Sequence, residues 1–96
     1  MKEATIERYL CDRVKELGGI AYKFRSPARK HVPDRMVVLP GGIAAWIEVK
    51  APGEVPRPGQ WRELYRLQEL GHWATYVDTK ARVDAYLELI RGLASA

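Results

Sequence analysis

Asp34, Glu48 and Lys50 are the residues whose types and spacing point to chemistry. Glu48 and Lys50 stand two apart near the end of the apolar run from Ile43, and strand side chains two apart share a face. Asp34 follows Pro33 and opens the preceding apolar run, which is joined to the next around Pro40-Gly41-Gly42. If both runs are strands, Asp34 and Glu48 meet at one sheet end and can hold a divalent cation. Lys50 then stands beside them, placed to touch the water or phosphate that the metal activates. Two carboxylates, the Val49 backbone carbonyl and water make a hard oxygen site. Such a site favours Mg²⁺, with Mn²⁺ as its substitute, over zinc. Plainer readings exist: Glu48 and Lys50 as an ion pair, and Pro33-Asp34 as a turn dipeptide. Yet Asp34 leads straight into an apolar strand, where it adds nothing to a core. Charges at the end of a buried strand are costly unless paired or metal-bound.

Glu7 and Gln60 are the accessory candidates. Glu7 precedes Leu10, Cys11 and Val14 by three, four and seven residues, which sets it at the edge of a buried helical face, within reach of a metal through water. Glu3, one turn earlier, is the alternative, and an exposed charge pairing with a neighbour such as Lys15 is the bland one. Gln60 aligns with Leu64 and Leu67 on the inward side of a helix's first turn, flanked by Arg57 and Arg62. Its amide either meets a phosphate or the attacking water, as helix N-termini favour, or caps the helix. His31 and His72 are too isolated to form a ligand pair, and His31 is assigned to phosphate or solvent.

The elements that must position these residues read in the order αβββαβα. Residues 2–17 form a helix ended by Gly18-Gly19, followed by a strand over Ile20–Arg25 and a loop over Ser26–Val32. Asp34–Leu39 and Ile43–Lys50 are strands of a hairpin. The near-continuous apolar run Ile43–Val49 predicts a central strand buried on both faces. After the breakers Pro52, Gly53, Pro56 and Pro58, a helix spans Pro58–Leu70 with Gly71 as its stop. Trp73–Val77 is a strand, and Asp78 or Thr79 caps a last helix whose buried stripe is Val83, Tyr86, Leu87, Ile90 and Leu93. The fold class is α/β, a mixed central sheet flanked by helices.

Charge points to the partner. Residues 23–62 hold eight basic side chains against Asp34, Glu48 and Glu54, a net of +5, while the remainder holds eight basic against nine acidic. The positive excess therefore surrounds the proposed metal site, as phosphate-binding surfaces require. Lys23, Arg25, Arg29, Lys30, Arg35, Arg57 and Arg62, with Ser26 in the turn, are the predicted DNA contacts, positioning a duplex without reading bases. Trp61 and Tyr65 share one side of the second helix and suggest either a two-fold dimer interface or packing under residues 52–58.

Composition excludes other classes. Ninety-six residues make one domain, 1–96, and 47% apolar content with three Trp and five Tyr argues for a folded globule. No apolar run approaches the ~20 residues of a membrane helix, and no signal-peptide pattern opens the chain. The single Cys11 excludes an internal disulfide and a multi-Cys metal site. The expected setting is intracellular, cytoplasm or nucleoid, with a phage genome an admissible source, no membrane partner and no small-molecule cofactor.

The blocks Gly18-Gly19, Lys23-Phe24-Arg25-Ser26-Pro27, Val32-Pro33-Asp34-Arg35, Glu48-Val49-Lys50-Ala51-Pro52-Gly53 and Gln60 together resemble the VRR-NUC family. These are virus-type replication-repair nucleases within the restriction-endonuclease-like PD-(D/E)xK superfamily. The likeness covers nearly the whole chain. Glu7-Arg8-Tyr9-Leu10 is also similar to the first-helix motif of archaeal Holliday-junction resolvases, which favours Glu7 over Glu3. The resemblance implies a Mg²⁺- or Mn²⁺-dependent DNA endonuclease with ligands at Asp34 and Glu48 and with Lys50 assisting. It also implies preference for branched DNA and a symmetric homodimer. A sequence-specific restriction-type nuclease and a catalytically silent DNA-binding module of the same fold are the competing classes.

Overall fold

The hairpin at the centre of the chain organises everything around it. In the computed structural model, which describes residues 1–95, the elements are α1 (Glu3–Glu16), β1 (Ile20–Lys23), β2 (Arg35–Leu39), β3 (Ile43–Val49), α2 (Pro58–Glu69), β4 (Trp73–Val77) and α3 (Lys80–Ser95). β2 and β3 pair antiparallel with Leu39 opposite Ile43. Gly41 and Gly42 both take positive φ, 87° and 78°, a conformation that glycine adopts without steric cost and a tight hairpin demands. β1 adds antiparallel to the outer side of β2, with Ile20 opposite Val38. β4 lies parallel to β3, with Ala45 opposite Trp73, so α2 is the crossover that a parallel pair needs. The sheet order is β1-β2-β3-β4, a mixed sheet as expected.

One sheet face carries the core. Val37, Leu39, Ala45, Ile47, Val49 and Val77 project toward Ile6, Leu10 and Val14 of α1 and Val83, Leu87 and Ile90 of α3. The helical spacing of those six helix residues is what lets two helices share one sheet face. Truncating a fully buried member such as Ile47 costs about 2–5 kcal/mol. Thr79 caps α3 by accepting the Arg82 N–H on its hydroxyl at 3.0 Å, so of the two capping candidates the threonine serves. Leu93, assigned from sequence to the buried stripe, is 54% exposed. It lies one turn past Ile90, near the end of α3, where the sheet no longer backs the helix.

The other face differs from expectation. β3 is not buried on both sides: Ala44 is exposed and Trp46 only partly covered, and consecutive residues are buried only from Ile47 to Val49. The reason is the placement of α2, which packs on this face along β4 through Trp61 against Tyr76, ring centroids 5.3 Å apart. β1 and β2 are left uncovered on that side. The run Ile43–Val49 reads as doubly buried because Ala44 and Trp46 are apolar, but no helix lies over them.

Candidate active site

Register brings the two carboxylates together. Arg35 pairs with Ile47, so Asp34, one residue before β2, stands opposite Glu48. Phe24 N–H donates to the Asp34 carbonyl at 2.8 Å, extending the β1–β2 pairing to this residue. Glu48 and Lys50 are 8% and 9% exposed. Burial first, and the charge of Asp34 second, push the Glu48 carboxyl up to about 7, with Lys50 opposing the shift. Asp34 is also raised above its ordinary value, by burial and then by the charge of Glu7. Two facing carboxylates, both raised and one of them by the other's charge, are an electrostatic conflict that a cation between them would relieve.

The donor set fits a hard divalent cation. Among the described residues two buried oxygens lack a hydrogen-bond donor, Asp34 Oδ1 and Asp78 Oδ1. Arg82 Nε lies 3.2 Å from the latter, a contact without hydrogen-bond geometry that still supplies a counter-charge. Asp34 Oδ1 has no such compensation. The Val49 amide helps to hold the Asp34 carboxylate ionised. The N–H and C=O of one extended residue point to the same side of a strand, so the Val49 carbonyl faces Asp34 as well. No group of three or more His, Cys, Asp and Glu among the described residues could itself hold a metal; the oxygen donors the site offers are two carboxylates and a carbonyl.

Glu7 is engaged within the protein. Its Oε2 accepts from Arg35 Nε at 3.0 Å, and Arg35 also donates to the Ala21 carbonyl at 3.1 Å. Arg35 is thereby removed from the predicted DNA contacts. It lies on the sheet face that α1 covers, its side chain 16% exposed. Glu3 is felt by Glu48 as a minor charge, so Glu3 and Glu7 both border the site.

Gln60 settles between its two expected roles. Its Oε1 accepts the Arg57 N–H at 2.8 Å, capping α2, and its Nε2 donates to Glu48 Oε1 at 3.0 Å. The amide is buried and spent on the protein, not on phosphate. It fixes the orientation of Glu48 from the first turn of α2, where Pro58 occupies the position that needs no N–H.

The basic residues divide into three groups. Arg25, Ser26, Lys30 and Arg57 line a groove of about 780 Å³ that also contains Asp34, and among the described residues Arg25, Lys30 and Arg57 enter no ion pair. Arg29 borders the same groove but is committed to Glu63, its Nε 3.1 Å from Oε2 and its Nη2 3.1 Å from Oε1. Lys23 and Arg62 lie elsewhere. Lys23 pairs with Arg35 on the opposite sheet face, and Arg62 lines a separate recess with Tyr65, Arg66 and Glu69.

Glu63 and Gly59 are the participants that sequence reasoning missed, and His31, assigned to phosphate or solvent, borders the groove with its ring against α2. Buried Glu63 accepts from Arg29, which lowers its carboxyl pKa. A Cβ on Gly59 would come within 2.5 Å of the His31 ring, so the absence of a side chain there seats the imidazole on α2. His31 itself takes φ 68°. The loop 24–34 is thus latched to α2 at two points. The fourfold spacing of Gly59 and Glu63 was the one available signal, since it puts both on one helix side.

Trp61 serves the fold rather than an outer surface. Besides its contact with Tyr76, it stacks on Tyr65 at 5.7 Å. Of the expected interface pair only Tyr65 is strongly exposed, and the ring contact of Trp61 beyond α2 is with β4.

Comparison with other proteins bears on the family and the fold. The sequence is 50% identical over 80 residues, covering 83% of this chain and 86% of the relative, to "Putative nuclease p44" of Acyrthosiphon pisum secondary endosymbiont phage 1. A solved structure described as a VRR_NUC domain superposes with a TM-score of 0.85 at 31% identity, covering 92% of this chain and 96% of that one. No family profile matches the sequence.

Proposed function

Because the chain belongs to the VRR_NUC family of nucleases, we propose that it is a metal-dependent DNA endonuclease that prefers branched duplexes. The single observation carrying this reading is half-buried Asp34 standing opposite buried Glu48, with Asp34 in a groove also lined by Arg25, Lys30 and Arg57. Asp34, Glu48 and the Val49 carbonyl would hold Mg²⁺ or Mn²⁺, which supplies positive charge against the phosphate oxygens and acidifies a nucleophilic water. Lys50 places an ammonium beside them, where it counters the charge that builds on phosphorus-bound oxygen during displacement. Gln60 holds Glu48 in orientation. The groove cations seat the backbone and carry no sequence information.

The test uses labelled linear, splayed, flap and four-way substrates with Mg²⁺ or Mn²⁺. Wild type is expected to cut the branched ones faster than linear duplex. Asp34→Asn and Glu48→Gln abolish cutting without loss of fold or DNA affinity, and Lys50→Ala lowers turnover with metal affinity retained. Wild-type rates in Asp34→Asn would overturn the site.

A homodimer belongs to the same reading, since two active sites are needed to cut two strands of a branch in one encounter. The outer side of α2, where Tyr65 is 54% exposed, is the surface offered for it. Sedimentation equilibrium at micromolar concentration is expected to give twice the chain mass with junction DNA; a monomer mass with and without DNA excludes it. The phage source of the relative supports a phage genome as the origin of this chain, and among the described residues no helix is long and apolar enough to cross a membrane.

A further inference from the structure

The uncovered sheet face begins one strand away from the carboxylate pair. Register sets Phe24, Asp34 and Glu48 in one row across the sheet and Tyr22, Met36 and Trp46 in the next. Adjacent strands are ~4.8 Å apart, so the Phe24 backbone lies one such step from Asp34. The Phe24 ring meets Trp46 edge-on, centroids 4.9 Å apart. Tyr22 is 53% and Phe24 36% exposed, and α2 stands too far along the sheet to cover either.

Phe24 also lines the same groove as Asp34, Arg25, Lys30 and Arg57. An aromatic floor thus runs into a cationic wall. That combination matches unpaired nucleotides, whose phosphates follow cations while their base faces stack on rings. A closed duplex offers this floor only sugar and phosphate, because its bases are stacked on one another.

We propose that Tyr22, Phe24 and Trp46 form a stacking platform for unpaired bases next to the scissile phosphate. This rests on the nuclease reading and deepens it: the platform is what distinguishes a branch from a closed duplex, a discrimination that phosphate contacts cannot make. Charge complementarity selects the occupant, since the cations stand on the same side as the rings.

Binding of the full chain is measured with Ca²⁺ in place of Mg²⁺. The probes are a splayed-arm duplex carrying 2-aminopurine in its unpaired arm beside the junction and a fully paired duplex of equal length. Wild type is expected to quench the aminopurine and to prefer the splayed probe. Tyr22→Ala with Phe24→Ala removes the quench and lowers that preference about tenfold per lost stack, leaving affinity for the paired duplex within about twofold of wild type. Should the double variant fold poorly, Tyr22→Ala alone serves, because that ring is more than half exposed. Tyr22→Phe retains the preference.

Equal loss on both probes, or an unchanged preference, overturns the platform. Loss accompanied by a fall from dimer to monomer mass assigns the face to a second copy and overturns it equally. Cleavage by wild type with Mg²⁺ is read in parallel. Quenching without cleavage defeats the nuclease reading alone, and cleavage without quenching defeats the platform alone.

Discussion

Glu48 is where function and stability pull in opposite directions. Its carboxyl is raised from 4.5 to about 7 by burial and then by Asp34. Below 4.5 it is protonated whether the chain is folded or not, and costs nothing. Between 4.5 and 7 the unfolded chain releases the proton first, so folding stability is lost as pH rises, and above about 7 the loss is complete. A shift of that size amounts to about 3 kcal/mol. In chelator, the stability of wild type relative to Glu48→Gln is therefore expected to fall by up to about 3 kcal/mol between pH 4.5 and pH 8.5, read by urea denaturation. Glutamine keeps an acceptor for Gln60, so the comparison isolates charge. Parallel pH profiles would show that the carboxyl is not held in conflict. Asp34 and Glu48 were legible from sequence because only their spacing around the hairpin had to be right. The conflict between them was not, since it depends on how completely the surrounding strands exclude water.

Elements position these residues through side chains that look ordinary in a sequence. The loop after β1 is attached to α2 by Arg29 on Glu63 and by His31 on Gly59. Glu63 has the opposite linkage to Glu48. The Arg29 hydrogen bond depresses its pKa, so its contribution is present above the ordinary carboxylate value and is lost as pH falls through the folded one. Arg29 is half exposed, which limits the pair to about 1 kcal/mol. Glu63→Gln is accordingly expected to destabilise by about 1 kcal/mol at pH 7 and to converge with wild type in acid, once pH falls below the depressed folded value, by the same denaturation measurement. A difference that persists into acid would place the effect in packing. Element order and strand limits were readable to within about two residues, because periodicity, Gly-Gly turns and prolines act locally. Which cations are free was not, because Arg29 and Arg35 differ from Lys30 only in finding a carboxylate on another element. Arg35 points to α1 by strand parity, and Arg29 meets a glutamate 34 residues later.

At the scale of the whole molecule, a chain charge of +4 says less than its distribution. The sheet divides the protein into a helix-covered side, where Arg35 is neutralised by Glu7, and an open side, where Arg25, Lys30 and Arg57 gather about Asp34. The openness of that side was hidden in the sequence, since Ala44 and Trp46 read as core and only the lateral placement of α2 leaves one exposed and the other partly so. The same division makes the electrostatic footprint directional. Each phosphate neutralised by a groove cation releases condensed counterions from duplex DNA, with a slope of about −0.9 in log affinity against log salt. Lys30→Ala and Arg57→Ala are each expected to reduce that slope by about one unit and to weaken all DNA sequences alike. Arg62→Ala, which removes the same charge from the outer recess of α2 beside Tyr65, leaves the slope unchanged. Net charge is identical in the three variants, so a general attraction between a basic protein and DNA would shift them together. Binding titrations across 50–200 mM salt separate the two cases: equal slopes for Arg62→Ala and Lys30→Ala would mean that DNA does not follow the groove to Asp34.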